Sequence, residues 1–119
     1  MDKLIKISIL FDFYGKLLSK KQYDVIDMYY NNDLSLSEVA QEMDTSRQAV
    51  FDTLKRAEEK LIEYENILGL AEKFYNTENS IKDIEKLVKE IMAIGSELNN
   101  SKILELAQNI DLTIKKILY

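Results

Sequence analysis

The 119-residue sequence lacks histidine, cysteine and proline entirely, and it has only three glycines. Without cysteine the chain has no disulfide, no thiolate metal ligand and no cysteine nucleophile. Without histidine it also lacks the commonest general base and the commonest zinc ligand. We therefore predict that the protein is not an enzyme, has no catalytic, cofactor-binding or metal-binding residues and has no small-molecule substrate.

The scarcity of helix-breaking residues predicts an all-α fold. A sheet-rich fold with many tight turns, or a disordered tail, would need more proline and glycine than this chain contains. No apolar run approaches the ~20 residues of a membrane span, and the N-terminal residues lack the pattern of a secretion signal. We expect one compact cytoplasmic chain that does not engage a membrane.

Apolar residues at three- and four-residue intervals indicate six amphipathic helices. Three capping boxes, in which a Ser or Thr and a Glu or Gln three residues later satisfy free backbone N–H groups, mark helix starts at residues 19–22, 35–38 and 45–48. The polar stretch 76–80 indicates a break. We predict a four-helix helix-turn-helix domain over residues 1–75 and an antiparallel C-terminal helical hairpin over residues 76–119. The isoleucine stripes of the hairpin favour a homodimer interface, because two helices alone bury one face poorly.

A short helix followed by a long helix, joined at Asp44 and Thr45, has the features of a helix-turn-helix. Ala40 is small enough for a close crossing of the two helices, and Asp44 is a residue type that tolerates a left-handed backbone in the turn. The side chains expected to pack between the helices are Val39, Met43, Val50 and Leu54.

Several segments resemble the region 4 helix-turn-helix of bacterial sigma factors: residues 18–22, 25–26, 29–30, 34–40, 46–50 and 54–57. More narrowly, residues 11–18, 46–52 and 55–56 resemble the YlxM (p13-like) family. The resemblance is strong over residues 4–75 and implies a small all-helical, winged-helix-like protein that binds DNA and regulates transcription. It also implies an association with the signal recognition particle pathway of protein targeting, and a protein partner there.

The second helix of the motif is the expected DNA-reading element, because the first turns of such a helix face the bases of the major groove. Arg can pair with guanine, Gln with adenine, a carboxylate with cytosine, and an aromatic ring can touch the methyl group of thymine. The base-reading candidates are Ser46, Arg47, Gln48, Phe51 and Asp52. The candidates for phosphate contact are Ser19, Gln22, Ser35, Lys55, Arg56 and Lys60.

The charge of the motif argues against tight DNA binding. Residues 34–66 carry four positive and eight negative side chains, a balance of 4 − 8 = −4, whereas phosphate neutralisation supplies most non-specific affinity. A dimer would double the phosphate contacts. The alternative hypothesis is a protein-interaction module, in which acidic faces on the same fold meet a basic partner, since a fold alone does not decide function.

Several candidate residues also have a purely structural interpretation. Arg47 and Gln48 are either DNA contacts or solvated first-turn residues. For Phe51 we favour a packing role, against Phe11, Tyr14 or a second subunit. For the seven tyrosines we favour packing over base stacking. We expect a charged helix face, rather than a metal or acid–base cluster, at Glu58, Glu59, Glu63 and Glu65.

Overall fold

A computed structural model describes residues 2–118, so Met1 and Tyr119, one of the seven tyrosines, lie outside the described residues. The α-helices are α1 (Lys3–Tyr14), α2 (Lys20–Ile26), α3 (Leu36–Glu42), α4 (Arg47–Leu68), α5 (Leu70–Glu97) and α6 (Ser101–Leu118). A 3₁₀ turn at Gly15–Leu17 follows α1, and a π-helical turn at Asp27–Asn31 follows α2. The all-α prediction is confirmed. Residues 2–118 contain no strand, so the expected winged-helix-like element is wrong for this part of the chain.

Two of the three predicted capping boxes are present. The Ser19 and Ser35 hydroxyls accept hydrogen bonds from the backbone N–H groups of Gln22 and Glu38, at 3.2 and 3.1 Å, and each of those side chains accepts one in return. Hydrogen bonds with Ser35 lower the pKa of Glu38, the larger effect coming from the backbone N–H and the smaller from the hydroxyl. The third box is wrong, because Ser46 rather than Thr45 caps α4.

The turn between α3 and α4 has the left-handed residue that the sequence predicts. Asp44 has φ +51°, and the next N–H, that of Thr45, donates to the carbonyl of Ala40 at 3.0 Å. The N–H of Asp44 donates to Gln41 at 3.3 Å. This pair of bonds is the Schellman motif, which satisfies carbonyls at the end of a helix and sets the direction in which α4 leaves.

The chain divides into two compact units, residues 1–71 and 72–119. In the first unit α4 packs against α1, α2 and α3. Its core contains side chains from each of these helices and from the first turn of α5. The buried residues are Ile7, Leu10, Phe11, Tyr14, Leu18, Val25, Ile26, Val39, Ala40, Val50, Leu54, Ala57, Leu61 and Ala71.

Two glutamates on α4 contradict the prediction of a solvated acidic face. Glu58 is buried, accepts a hydrogen bond from the hydroxyl of Tyr30 at 3.1 Å and pairs with Lys3 at 3.2 Å. Glu65 is half-buried and accepts hydrogen bonds from the hydroxyl of Tyr14 and from the N–H of Ala71. A buried carboxylate is tolerated only when it is paired in this way, so Glu58 and Glu65 are structural residues. The other two, Glu59 and Glu63, are exposed as predicted.

In the second unit, α5 and α6 form a hairpin. Gly95, near the end of α5, closely approaches Ile103 near the start of α6, so the two helices run antiparallel. Asn99 turns the chain with φ +51°, and the Asn100 carboxamide caps α6 by accepting from two backbone N–H groups at 3.1 Å. The small core between the helices consists of Ile81, Val88, Ala107 and Ile114, with Met92 against it.

The predicted break at residues 76–80 is wrong, because α5 is continuous from Leu70 to Glu97. Asn, Thr and Ser lower helix stability by only ~0.5 kcal/mol each relative to Ala. Ile81, Val88 and Gly95 are buried at seven-residue intervals, and the core contacts of Ile81 and Val88 outweigh that small cost.

None of the helices in the described part of the chain combines the length and the apolar character that a membrane span requires.

Candidate nucleic-acid interface

The helix-turn-helix holds α4 by one side and leaves its opposite side in solvent. Val50, Leu54, Ala57 and Leu61 form the buried stripe. At 100° per residue, Gln48, Asp52 and Glu59 lie opposite that stripe, and all three are exposed. Of the base-reading candidates, Gln48 and Asp52 lie on the side of α4 that is open to a ligand. Phe51 lies on its flank, and Arg47 lies nearer the buried stripe but is exposed in the first turn.

The first turn of α4 exposes three consecutive candidates. The Ser46 hydroxyl accepts a hydrogen bond from the N–H of Ala49 at 3.1 Å, and its own proton can still be donated. Arg47 is exposed and, within residues 2–118, has no hydrogen-bond or ion-pair partner. A guanidinium with five N–H donors and no internal partner can bind a guanine edge or a phosphate.

Gln48 and Asp52 form a pair one helical turn apart. The side-chain amide of Gln48 donates to Oδ1 of Asp52 at 3.1 Å, and both residues are exposed. The bond uses one of the two amide protons and leaves the Gln48 carbonyl and the second carboxylate oxygen as acceptors. The pair therefore offers acceptors suited to the amino groups of cytosine or adenine, while its negative charge repels phosphate.

Phe51 lies in a groove beside α4 rather than against Phe11 or Tyr14. The ring is 40% exposed, and Phe11 and Tyr14 pack against Tyr23 and Tyr64 instead. The groove has a volume of about 290 Å³ and is lined by Lys3, Leu4, Tyr29, Tyr30, Leu36, Phe51, Leu54, Lys55 and Glu58. Phe51 is thus at the edge of the exposed surface, where it can contact either a base or a protein side chain.

Three of the phosphate candidates are cations on the flanks of the outer side of α4. Lys55 lies on one flank, at the groove, while Arg56 and Lys60 lie on the other. All three are exposed, and among the described residues none of them forms an ion pair. Positive charges therefore border a strip that contains Asp52 and Glu59.

The remaining phosphate candidates also stabilise helix starts. The Ser19 hydroxyl accepts a capping bond but keeps a proton to donate. The Gln22 carbonyl oxygen accepts from the N–H of Ser19 at 3.3 Å, which leaves its NH₂ group as a donor. The Ser35 hydroxyl also accepts a capping bond, but it stabilises the carboxylate of Glu38 as well. Ser19 and Gln22 therefore retain one donor group each for an anion, whereas Ser35 would have to leave Glu38 to bind one.

Sequence reasoning missed the groove beside Phe51 and the hydrogen-bonded pair of Tyr30 and Glu58 that lines it. Burial and the neighbouring carboxylate of Glu58 raise the pKa of Tyr30 well above its ordinary value. The π-helical turn that places Tyr29 and Tyr30 has no sequence signature, although such turns often occur at functional sites.

Among the described residues no group of three or more carboxylates could hold a metal ion.

The fold and the exposed second helix define a helix-turn-helix protein. A family model described as "Putative helix-turn-helix protein, YlxM / p13 like" matches residues 1–110. The chain therefore belongs to this family, UPF0122, and the resemblance to the YlxM family is confirmed.

Relatives from several bacteria support this membership. A UPF0122 protein of Acetivibrio thermocellus is 41% identical over 105 residues, which cover 88% of this chain and 90% of the relative. One from Clostridium kluyveri is 50% identical over 84 residues, or 71% of this chain and 76% of the relative. One from Bacillus thuringiensis is 38% identical over 111 residues, or 93% and 99%.

Proposed function

We propose that the protein binds double-stranded DNA as a regulatory homodimer, with the first turns of α4 in the major groove. The observation that carries this proposal is the exposed Arg47, which has no partner among the described residues and stands in the first turn of a helix that its buried stripe anchors in a core. The anchored helix fixes the position of the Arg47 backbone, and the long side chain can reach base edges from there.

The base-reading set is Ser46, Arg47, Gln48, Phe51 and Asp52. Arg47 contacts guanine, and the acceptors of the Gln48–Asp52 pair take a hydrogen bond from a cytosine or adenine amino group. The phosphate contacts are Ser19, Gln22, Ser35, Lys55, Arg56 and Lys60, which fix the position of the protein without reading sequence.

The acidic residues of the motif predict weak binding by one subunit. Asp52 and Glu59 lie between the flanking cations, so a single motif neutralises few phosphates, and phosphate neutralisation sets the salt-dependent affinity. A dimer doubles the contacts and reads two half-sites about one helical turn apart. We therefore expect binding that is detectable at low salt and falls steeply as salt rises.

Binding of fluorescent genomic DNA fragments at about 50 and about 150 mM salt tests the proposal. The double variant Arg47→Ala, Gln48→Ala should lose sequence preference, whereas Lys55→Ala should weaken binding to all fragments alike. Lys89→Ala, which removes an exposed lysine from α5, is the matched control for lost charge. If the wild-type protein retains no fragment even at the lower salt, the proposal is wrong.

A second candidate function is binding of a basic protein partner without DNA. The acidic balance of residues 34–66 favours it, because negative charge suits a basic partner. The exposed Phe51 beside the groove offers such a partner an apolar contact. A pull-down from cytoplasm with nuclease treatment separates the two candidates. A partner that survives nuclease and is lost with Phe51→Ala supports this one, and a component of the signal recognition particle pathway among the captured proteins would support the association that the family resemblance implies.

A further inference from the structure

The hairpin of the second unit has an apolar stripe on α5 that nothing in the hairpin covers. Its residues follow one another at intervals of three and four, which is the spacing of a helix-packing face. They are between 40% and 65% exposed, and they are Ile84, Leu87, Ile91, Ile94 and Leu98.

A similar stripe lies on α6. Leu106, Ile110 and Ile117 are exposed at the same spacing, and Thr113 occupies the position between the last two. The Thr113 hydroxyl donates to the carbonyl of Asn109 in its own helix at 2.9 Å. The α6 stripe therefore presents apolar atoms and one internally bonded hydroxyl.

The two stripes lie on the same side of the hairpin. On each helix the exposed stripe is displaced by roughly 90°, in the same rotational sense, from the buried residues, at 100° per residue. The buried residues, Ile81 and Val88 on α5 and Ala107 and Ile114 on α6, face each other. Because the helices run antiparallel, equal rotations bring both stripes to one side, which we call the outer hairpin face.

The outer hairpin face contains no charged side chain. On α5, between residues 80 and 98, the arc that the stripe occupies contains one further residue, Ser80. On α6, between residues 106 and 117, the arc that the stripe occupies contains one further residue, Thr113. The eight apolar residues are each 40–65% exposed, so the face is an apolar patch on the order of several hundred Å², the size at which exposed patches mark interaction sites.

We infer that a second copy of this chain covers the outer hairpin face, so that two hairpins form a four-helix bundle. The heptad-like spacing on both helices is that of bundle interfaces, and a two-fold axis pairs the uncharged face with itself. An apolar patch of this kind is stabilised when a partner covers it, and a second copy brings an identical uncharged patch. The inference gives the proposed DNA-binding homodimer its interface, but it depends on α4 in no way.

The mass of the full-length protein in solution, measured by light scattering or sedimentation equilibrium, tests this inference. The wild type should have twice the monomer mass of 13.9 kDa. Ile91→Glu and Ile110→Glu should each raise the dimer dissociation constant by roughly 100-fold or more, because each places unpaired carboxylates in an apolar interface. Leu112→Glu is the matched control, since Leu112 is 57% exposed against 41% for Ile110 but lies on the opposite side of α6.

Circular dichroism checks that each variant remains helical, and native-state hydrogen exchange of α1 to α4 checks that its first unit remains folded, so that loss of the dimer is distinguished from loss of the fold. A monomeric wild type, a dimer unchanged by Ile91→Glu and Ile110→Glu, or a dimer disrupted equally by Leu112→Glu would overturn the inference. Arg47→Ala should leave the mass unchanged. Failure of DNA binding with an intact dimer would therefore refute only the proposed function, and a monomer that binds DNA would refute the interface and the dimeric form of the proposed function, but not DNA binding itself.

Discussion

The two units are both helical, but they use their apolar residues differently. The first unit buries side chains from α1 to α4 in a shared core and pairs its buried Glu58 and half-buried Glu65 with tyrosines. Among its described residues, the second unit buries Ile81, Val88, Ala107 and Ile114 between two helices and leaves many isoleucines and leucines exposed. The first unit therefore has the core of an independent domain, whereas the second has more apolar surface than one hairpin can bury.

Truncating a core residue in each unit tests this difference with the largest expected effect. Leu61→Ala, at a position with 0% exposure, should destabilise the first unit by about 2–5 kcal/mol, because the crowded core cannot collapse around the cavity. Ile114→Ala should cost the second unit less, since a two-helix core relaxes more easily. Native-state hydrogen exchange reports the opening free energy of each unit separately. Equal losses would contradict the comparison.

A smaller effect is expected from removing the polar contacts of the buried Glu58 in the first unit. Tyr30→Phe removes the hydroxyl that donates to the buried Glu58 and should cost about 1–3 kcal/mol, the penalty for an unsatisfied buried group. Lys3→Ala removes the other partner, but Lys3 is largely exposed, so this matched change should cost about 0–1 kcal/mol. Denaturant unfolding measures both. If Lys3→Ala proved the more damaging, the ion pair rather than the tyrosine would anchor Glu58.

The pKa values of Tyr14 and Tyr30 predict that the first unit loses stability at alkaline pH. Burial, with hydrogen bonds to Glu65 and Glu58, raises the pKa values of Tyr14 and Tyr30 above the ordinary value of 10.0. A group whose pKa is raised by folding contributes stability that is complete below the unfolded pKa and is lost as the pH rises through the folded pKa. Unfolding stability should therefore fall above pH 10, and Tyr30→Phe should flatten that fall. An unchanged slope would show that Tyr30 does not titrate in this way.

In the second unit, packing depends on one close approach. A Cβ at Gly95 would lie 2.8 Å from Cγ2 of Ile103. Gly95→Ala gains about 1 kcal/mol of helix propensity but forces the helices apart at a cost of about 1–3 kcal/mol, so a net loss of roughly 1 kcal/mol is expected. Adding Ile103→Ala removes the clashing methyl group and should make Gly95→Ala favourable. Hydrogen exchange of α6 checks the sign, and a stabilising single variant would contradict the close approach.

Local features of this fold could be predicted from the sequence. The caps at Ser19 and Ser35, the small Ala40 and the left-handed Asp44 act within a few residues of themselves, so their patterns are readable along the chain. The same locality explains why the exposed position of Arg47 was predictable, because Arg47 is the first residue of α4, directly after the turn.

Features that depend on distant residues could not be predicted. Glu58 is buried because Tyr30, 28 residues away, meets it, and Glu65 is bonded to Tyr14, 51 residues away. The predicted break at residues 76–80 is wrong for the same reason, since packing between α5 and α6 overrides weak local propensity. The groove beside Phe51 could not be predicted either, because it needs a π-helical turn and residues from α1, α3 and α4.

Helix capping should be the property in which the two units do not differ. Ser35 caps α3 through one backbone N–H, and Asn100 caps α6 through two. Ser35→Ala and Asn100→Ala should each cost about 0.5–1 kcal/mol in their own unit, because a cap acts on its own first turn whatever the helix packs against. Ser37→Ala, an exposed serine inside α3, is the control and should be neutral or slightly stabilising. Hydrogen exchange at the first turns of α3 and α6 measures the losses. If Asn100→Ala cost several times more than Ser35→Ala, the stability of the hairpin would depend on its turn more than on its core, and the contrast between the units would lie in connection rather than in burial.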